Sequence, residues 1–86
     1  NLHYNVQAPV EMDTEVFLAQ HEAAIHALVY DLALSLGGTI SAEHGIGQLK
    51  RAELGQRQSA TQTAWMRAIK HALDPEQRFN PGRLVP

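Results

Sequence analysis

Cysteine is absent from this chain of 86 residues, and aromatic side chains are few: one Trp, two Tyr and two Phe. The first absence excludes disulfide scaffolds, thiolate zinc sites and cysteine nucleophiles, and leaves the redox compartment open. Long apolar runs are missing too. None approaches the ~18 residues that a membrane-spanning helix needs. The longest uncharged segment, Leu32 to Ala42, is broken by Gly37-Gly38. Nor is there a block of like charge. Seven Lys+Arg stand against nine Asp+Glu, a formal net charge of −2 with His neutral. That balance argues against nucleic acid or an anionic membrane as the main partner. Hydrophobic residues at 44% and charged residues at 19% leave the globular class, not the disordered or collagen-like ones. A domain of this length buries only about 60% of the surface its unfolded chain exposes. Its core is thin, with little room for a deep pocket.

What is present is histidine. Five occur, at positions 3, 21, 26, 44 and 71. The chain opens on Asn1, and Leu2, Tyr4 and Val6 alternate with His3 and Asn5, the period-two pattern of a strand. No signal-peptide pattern precedes it. An opening of this kind reads as the C-terminal part of a longer protein, cut just upstream of a strand.

After a connector containing Pro9, Asp13 and Thr14 are N-cap candidates and Glu15 places an acid in the first turn. Ile25, Leu28, Val29, Leu32 and Leu36 follow at helical spacing, and Gly37-Gly38 ends the run. A helix from there to Leu36, about 24 residues at 1.5 Å each, is about 36 Å long. Thr39-Ile40-Ser41 reads as a second short strand, and residues 42–47 (AEHGIG) as a tight loop. The polar stretch Gln48 to Gln58 carries a helical turn. Ser59 with Gln62 fits a capping box, opening a second helix to Leu73 that Asp74-Pro75 stops. The tail from Arg78 to Pro86 holds an Asn-Pro-Gly turn. The fold class expected is α+β: two short strands, two main helices and an irregular tail.

Several residues carry possible chemistry. His3 and Asn5 project from one face of the expected strand, either as a solvated edge or as a metal-ligand or substrate-binding pair. Glu43 and His44 sit side by side in a loop with Gly45 and Gly47. A carboxylate beside an imidazole offers a ligand and a base; an imidazole can take a proton from a hydroxyl. The plainer reading is a polar turn facing water. His3 and Glu43 together make only two ligands, whereas a stable site needs at least three or a substrate chelate. His21 and His26 read as surface or packing residues, and His71 as a structural residue near the second helix's C-terminus, where the dipole favours a cation. Lys50 and Arg51 read as a solvated pair that could also bind a carboxylate. Trp65 and Met66 read as core.

Three segments together resemble one family. Gly37 to Lys50, GGTISAEHGIGQLK, closely resembles the C-terminal region of FAD-linked oxidases of the vanillyl-alcohol oxidase class, the group of D-lactate dehydrogenase, glycolate oxidase and D-2-hydroxyglutarate dehydrogenase. Residues 1–6 (NLHYNV) are similar to the second half of that group's GHxGDGNLHxN stretch. Residues 70–75 (KHALDP) with 79–83 (FNPGR) are similar to its ending KxxLDPxxxxNPGK, with Arg83 in place of the frequent Lys. The first helix and residues 53–63 match poorly.

The resemblance implies a piece of the cap (substrate) domain of a flavin-dependent enzyme that oxidises a D-2-hydroxy acid to the 2-oxo acid. It implies His3 and Glu43 as ligands of a divalent metal, zinc or manganese, with a further histidine ligand upstream. His44 becomes the general base beside the flavin. Asn5 and Lys50 are assigned to substrate, and Glu43, His44 and Asn80 to the flavin's surroundings. FAD itself is bound mainly by an upstream domain, so these residues alone are expected to be inactive and to self-associate through exposed helix faces. A protein or quinone electron acceptor and a cytoplasmic or inner-membrane-peripheral location complete the expectation. The alternative is a non-catalytic metal-binding or dimerisation module.

Overall fold

The computed structural model describes residues 2–86. Three helices follow one another: α1 (Thr14–Ser35), α2 (Arg51–Arg57) and α3 (Ala60–Leu73). The chain divides into two compact units, Asn1–Ala42 and Glu43–Pro86.

In the first unit, α1 starts where an acid can satisfy its orphan amides. Asp13 is the N-cap, and its Oδ1 accepts from the N–H of Glu15 at 2.9 Å and of Val16 at 3.2 Å. The helix runs 22 residues, about 33 Å. Its end is closed by two reversed bonds, Gly37 N–H to Leu34 O at 3.0 Å and Gly38 N–H to Ala33 O at 2.8 Å. Gly37 takes φ +76°, the left-handed conformation that this closure requires. A Cβ on Gly38 would lie 2.9 Å from Ala33 O, so the second glycine is needed for space.

In the second unit, α2 occupies seven residues of the polar stretch, with an Arg57–Glu53 ion pair one turn apart. The capping box expected at Ser59 forms. Ser59 Oγ accepts from Gln62 N–H at 3.1 Å, and Gln62 Oε1 accepts from Ser59 N–H at 3.0 Å. α3 closes at Asp74, whose N–H donates to Lys70 O at 2.8 Å before Pro75 forbids another turn.

The expected α+β class is overturned. Among the described residues there are three helices and no strand, so the fold is all-α. Alternation over residues 2–6 is a preference of one segment, whereas a strand exists only within a ladder. Leu2 and Tyr4 stay 83% and 78% exposed, so no apolar layer rewards the alternation. At the second segment a local bond takes over: Ser41 N–H donates to Thr39 Oγ1 at 3.3 Å, a turn closed by a side chain.

Burial is sparse. Among the described residues, Ile40 in the first unit and Ile46 in the second are the buried hydrophobic residues, and Asp74 is the buried polar one. No residue of α1 or α3 is buried. Trp65, expected in the core, is 68% exposed, and Ile69 and Leu73 on the same face are exposed with it. Among the described residues no helix is long and apolar enough to cross a membrane.

Candidate functional site

Glu43 and His44 lie in a bend at the start of the second unit, and both are exposed. The segment is held from below. Ile46 buries its side chain, and Gly47 turns the chain at φ +58°, where a side-chain-bearing residue would be strained. A short turn leads on, with Lys50 N–H donating to Ile46 O at 3.3 Å, and Lys50 is half-buried. The loop therefore presents a carboxylate and an imidazole outward on a backbone anchored by one apolar residue.

The tail is fastened to this loop. Leu84 N–H donates to Gly47 O at 2.7 Å. Arg51, the first residue of α2, donates from Nε to Val85 O at 2.6 Å and from Nη1 to Gly82 O at 3.4 Å. Arg67 Nε reaches Pro86 O at 3.0 Å. Asn80 heads the turn Asn80-Pro81-Gly82-Arg83, in which Arg83 N–H donates to Asn80 O at 3.3 Å. Pro81 supplies the restricted φ at the first central position, and Gly82 at φ +71° the left-handed second. Asn80 itself sits at φ +46°, a conformation Asn tolerates better than most residues.

The turn is fixed at its other end by Asp74. Its Oδ1 accepts from Arg78 N–H at 2.8 Å and its Oδ2 from Phe79 N–H at 3.0 Å. Lys70 pairs with the same carboxylate and donates from Nζ to Phe79 O at 2.6 Å. The Lys70 ammonium, with the two backbone N–H donors, holds the Asp74 carboxyl below the usual carboxylate range, against the opposing effect of burial.

Of the residues singled out from sequence, Glu43, His44, Lys50 and Asn80 belong to the second unit, and the Gly47–Leu84 bond joins the segments that carry them. His3 and Asn5 belong to the first unit, and both are exposed. Among the described residues no group of three or more His, Asp or Glu side chains could hold a metal ion. A cationic cleft of about 320 Å³ in the second unit is walled by Arg51, Arg67, Lys70, His71 and Arg83 with Asp74, and takes no wall from residues 43–47. His21 packs its ring on Phe17 at 4.9 Å and His26 stacks on Tyr30 at 5.6 Å while both stay exposed, within the surface or packing roles expected of them.

Two residues that sequence reasoning passed over carry this geometry. Arg51, expected as half of a solvated pair, instead ties down main-chain carbonyls of the tail. Asp74 is more than a helix stop. The signal for it was available: an Asp followed by Pro, with a Lys four residues earlier, is the composition of a carboxylate that caps a turn.

Residues 1–84 match the family described as FAD linked oxidases, C-terminal domain. The chain is 43% identical over 84 residues to a D-2-hydroxyglutarate dehydrogenase of Xanthomonas citri pv. viticola, covering 98% of this chain and 18% of that protein. It is 36% identical over 86 residues to the mitochondrial D-2-hydroxyglutarate dehydrogenase of Arabidopsis thaliana, covering 100% of this chain and 14% of the relative. A D-lactate dehydrogenase of Archaeoglobus fulgidus is 50% identical over 54 residues, covering 63% of this chain and 12% of the relative. The chain thus spans less than a fifth of the length of these curated relatives.

Proposed function

This chain belongs to the family of FAD-linked oxidase C-terminal domains, and from that premise we propose that it is the C-terminal, substrate-side part of a flavin-dependent dehydrogenase acting on a D-2-hydroxy acid. The FAD-binding domain precedes these residues in the intact protein. A bound flavin supplies the hydride acceptor there. The part left to this chain is to hold the hydroxy acid and to move its proton.

His44 is the base. It takes the hydroxyl proton while the C2 hydrogen leaves as hydride, so the alcohol loses two electrons and two protons in all, one proton to the imidazole and the other with both electrons in the hydride. The observation that carries this assignment is the loop itself. An exposed imidazole stands on a backbone anchored by buried Ile46, and the tail bearing Asn80 is bonded to the same loop through Gly47. Asn5 and Lys50 are assigned to the substrate's polar groups, and Glu43 in the loop, with His44, and Asn80 in the tail to the flavin's surroundings. A protein or quinone acceptor would reoxidise the flavin held by the upstream domain.

For a divalent metal the residues here do not suffice. His3 and Glu43 are proposed as two ligands of a set that needs at least a third. The described residues supply no group of three.

The test is His44→Ala in the full-length protein, assayed on a panel of D-2-hydroxy acids with flavin content measured alongside. The expected loss in kcat is about 100-fold or more, with flavin retained. Unchanged turnover removes His44 from the reaction. Absence of turnover in the unaltered protein with every acid tried favours the non-catalytic module instead.

A further inference from the structure

We propose that Arg51 is a positioning residue, which holds the tail turn at Asn80 in register with the loop at His44. Arg51 follows that loop after one short turn and opens α2. It is half-buried, and its guanidinium donates to two carbonyls of the tail, Val85 O at 2.6 Å and Gly82 O at 3.4 Å. Between those contacts Leu84 N–H closes on Gly47 O at 2.7 Å. One side chain therefore secures a backbone bond that links the two motif segments. Arg suits this role, because its rigid fork presents several donors in one plane and stays charged at every working pH. The acceptors lie 31 and 34 residues away in sequence, so no local preference would bring them together.

The far end of the same segment is clasped independently by Asp74 and Lys70. Residues 78 and 79 are thus restrained by Asp74 and Lys70, residues 82–85 from α2, and Pro86 from α3 through Arg67. Loss of Arg51 frees residues 82–85 from α2 and leaves the anchorages at residues 78–79 and at Pro86. Leu84 and Val85 should become mobile while residues 78 and 79 stay in place. Asn80 and Gly82, which lie between, then lose their fixed relation to Gly47. For a reaction that depends on near-attack geometry, displacement of this kind reduces turnover without weakening ground-state binding to the same degree.

This inference rests on the assignment of His44 and Asn80 to the reacting site, and the experiment separates the two. Arg51→Gln and Arg51→Lys are made in the full-length flavoprotein. Hydrogen exchange is followed by mass spectrometry on peptides covering residues 81–86 and, as internal reference, α3. Kinetic constants and the visible flavin spectrum are recorded on the same preparations. Expected for Arg51→Gln are about tenfold faster exchange in the tail peptide with α3 unchanged, a kcat lowered about tenfold, and a KM within about twofold of the original. Lys keeps the charge but not the fork, and Arg51→Lys should fall between; it also serves if the Gln variant fails to fold. Unchanged tail exchange in either folded variant overturns the proposal. Faster exchange with kcat and flavin spectrum unmoved overturns it as well, since the anchorage then has no bearing on the site. Failure of the underlying assignment shows separately, as full activity in His44→Ala with Arg51 intact.

Discussion

Asp74 binds two backbone N–H groups and one ammonium with a single buried carboxylate. Each of those donors prefers the ionised form, which is why its proton affinity falls. The folded-state pKa lies below the unfolded value of about 3.9, so the stabilising contribution is present in full above that pH. It is lost as pH falls through the lower, folded-state value. Acid titration of the protein, followed by exchange of the Arg78 and Phe79 amides, should show this clasp opening below about pH 4. Asp74→Asn should open those amides already at neutral pH and flatten the acid dependence. A clasp in Asp74→Asn as protected as the original would show that the carboxylate is not what holds it. The adjacent basic pair differs in the same residue-scale way: Lys50 and Arg51 look alike in sequence, yet the distinct role of Arg51 depends on carbonyls more than thirty residues away.

At the scale of elements, the helices were legible and the strands were not. Asp13, Gly37-Gly38, Ser59 with Gln62, and Asp74-Pro75 mark helix ends by bonds between neighbours, and such bonds form wherever the local sequence allows them. Ser59→Ala should cost α3 about 1 kcal/mol. Roughly fivefold faster exchange at the first-turn amides of α3 would report it. Gly37→Ala forces a Cβ into the left-handed region and should destabilise the end of α1 by about 1 kcal/mol. A lower thermal midpoint by circular dichroism checks this, and an unchanged midpoint would mean that α1 ends in another way. Residues 2–6 and 39–41 failed as strands for the opposite reason. Their alternation states what one segment prefers, and a ladder needs a second segment that sequence alone cannot supply.

At the scale of the whole molecule, the exposed apolar faces dominate. Leu28 and Leu32 on α1 are 69% and 56% exposed, and Trp65 and Leu73 on α3 are 68% and 80% exposed. At roughly 25 cal/mol for each Å² of apolar surface covered, such faces favour association. Light scattering of the 86 residues as an isolated chain should show species larger than a monomer, growing with concentration. A strictly monomeric species at high concentration would contradict this. The same chain should leave FAD fluorescence essentially unquenched at micromolar concentrations, because the proposed flavin-binding domain is not among these residues.

Sequence by itself determined the three-motif family pattern and the ends of α1 and α3, because caps, glycine turns and motif spacing are written in neighbouring residues. Only the tertiary structure decided that the described residues are all-α, that Trp65 faces outward, and that the tail is bonded to the histidine loop through Leu84, to α2 through Arg51, and to the end of α3 through Asp74. Those outcomes turn on contacts between distant residues, whose free energy depends on which surfaces meet rather than on what any one stretch prefers.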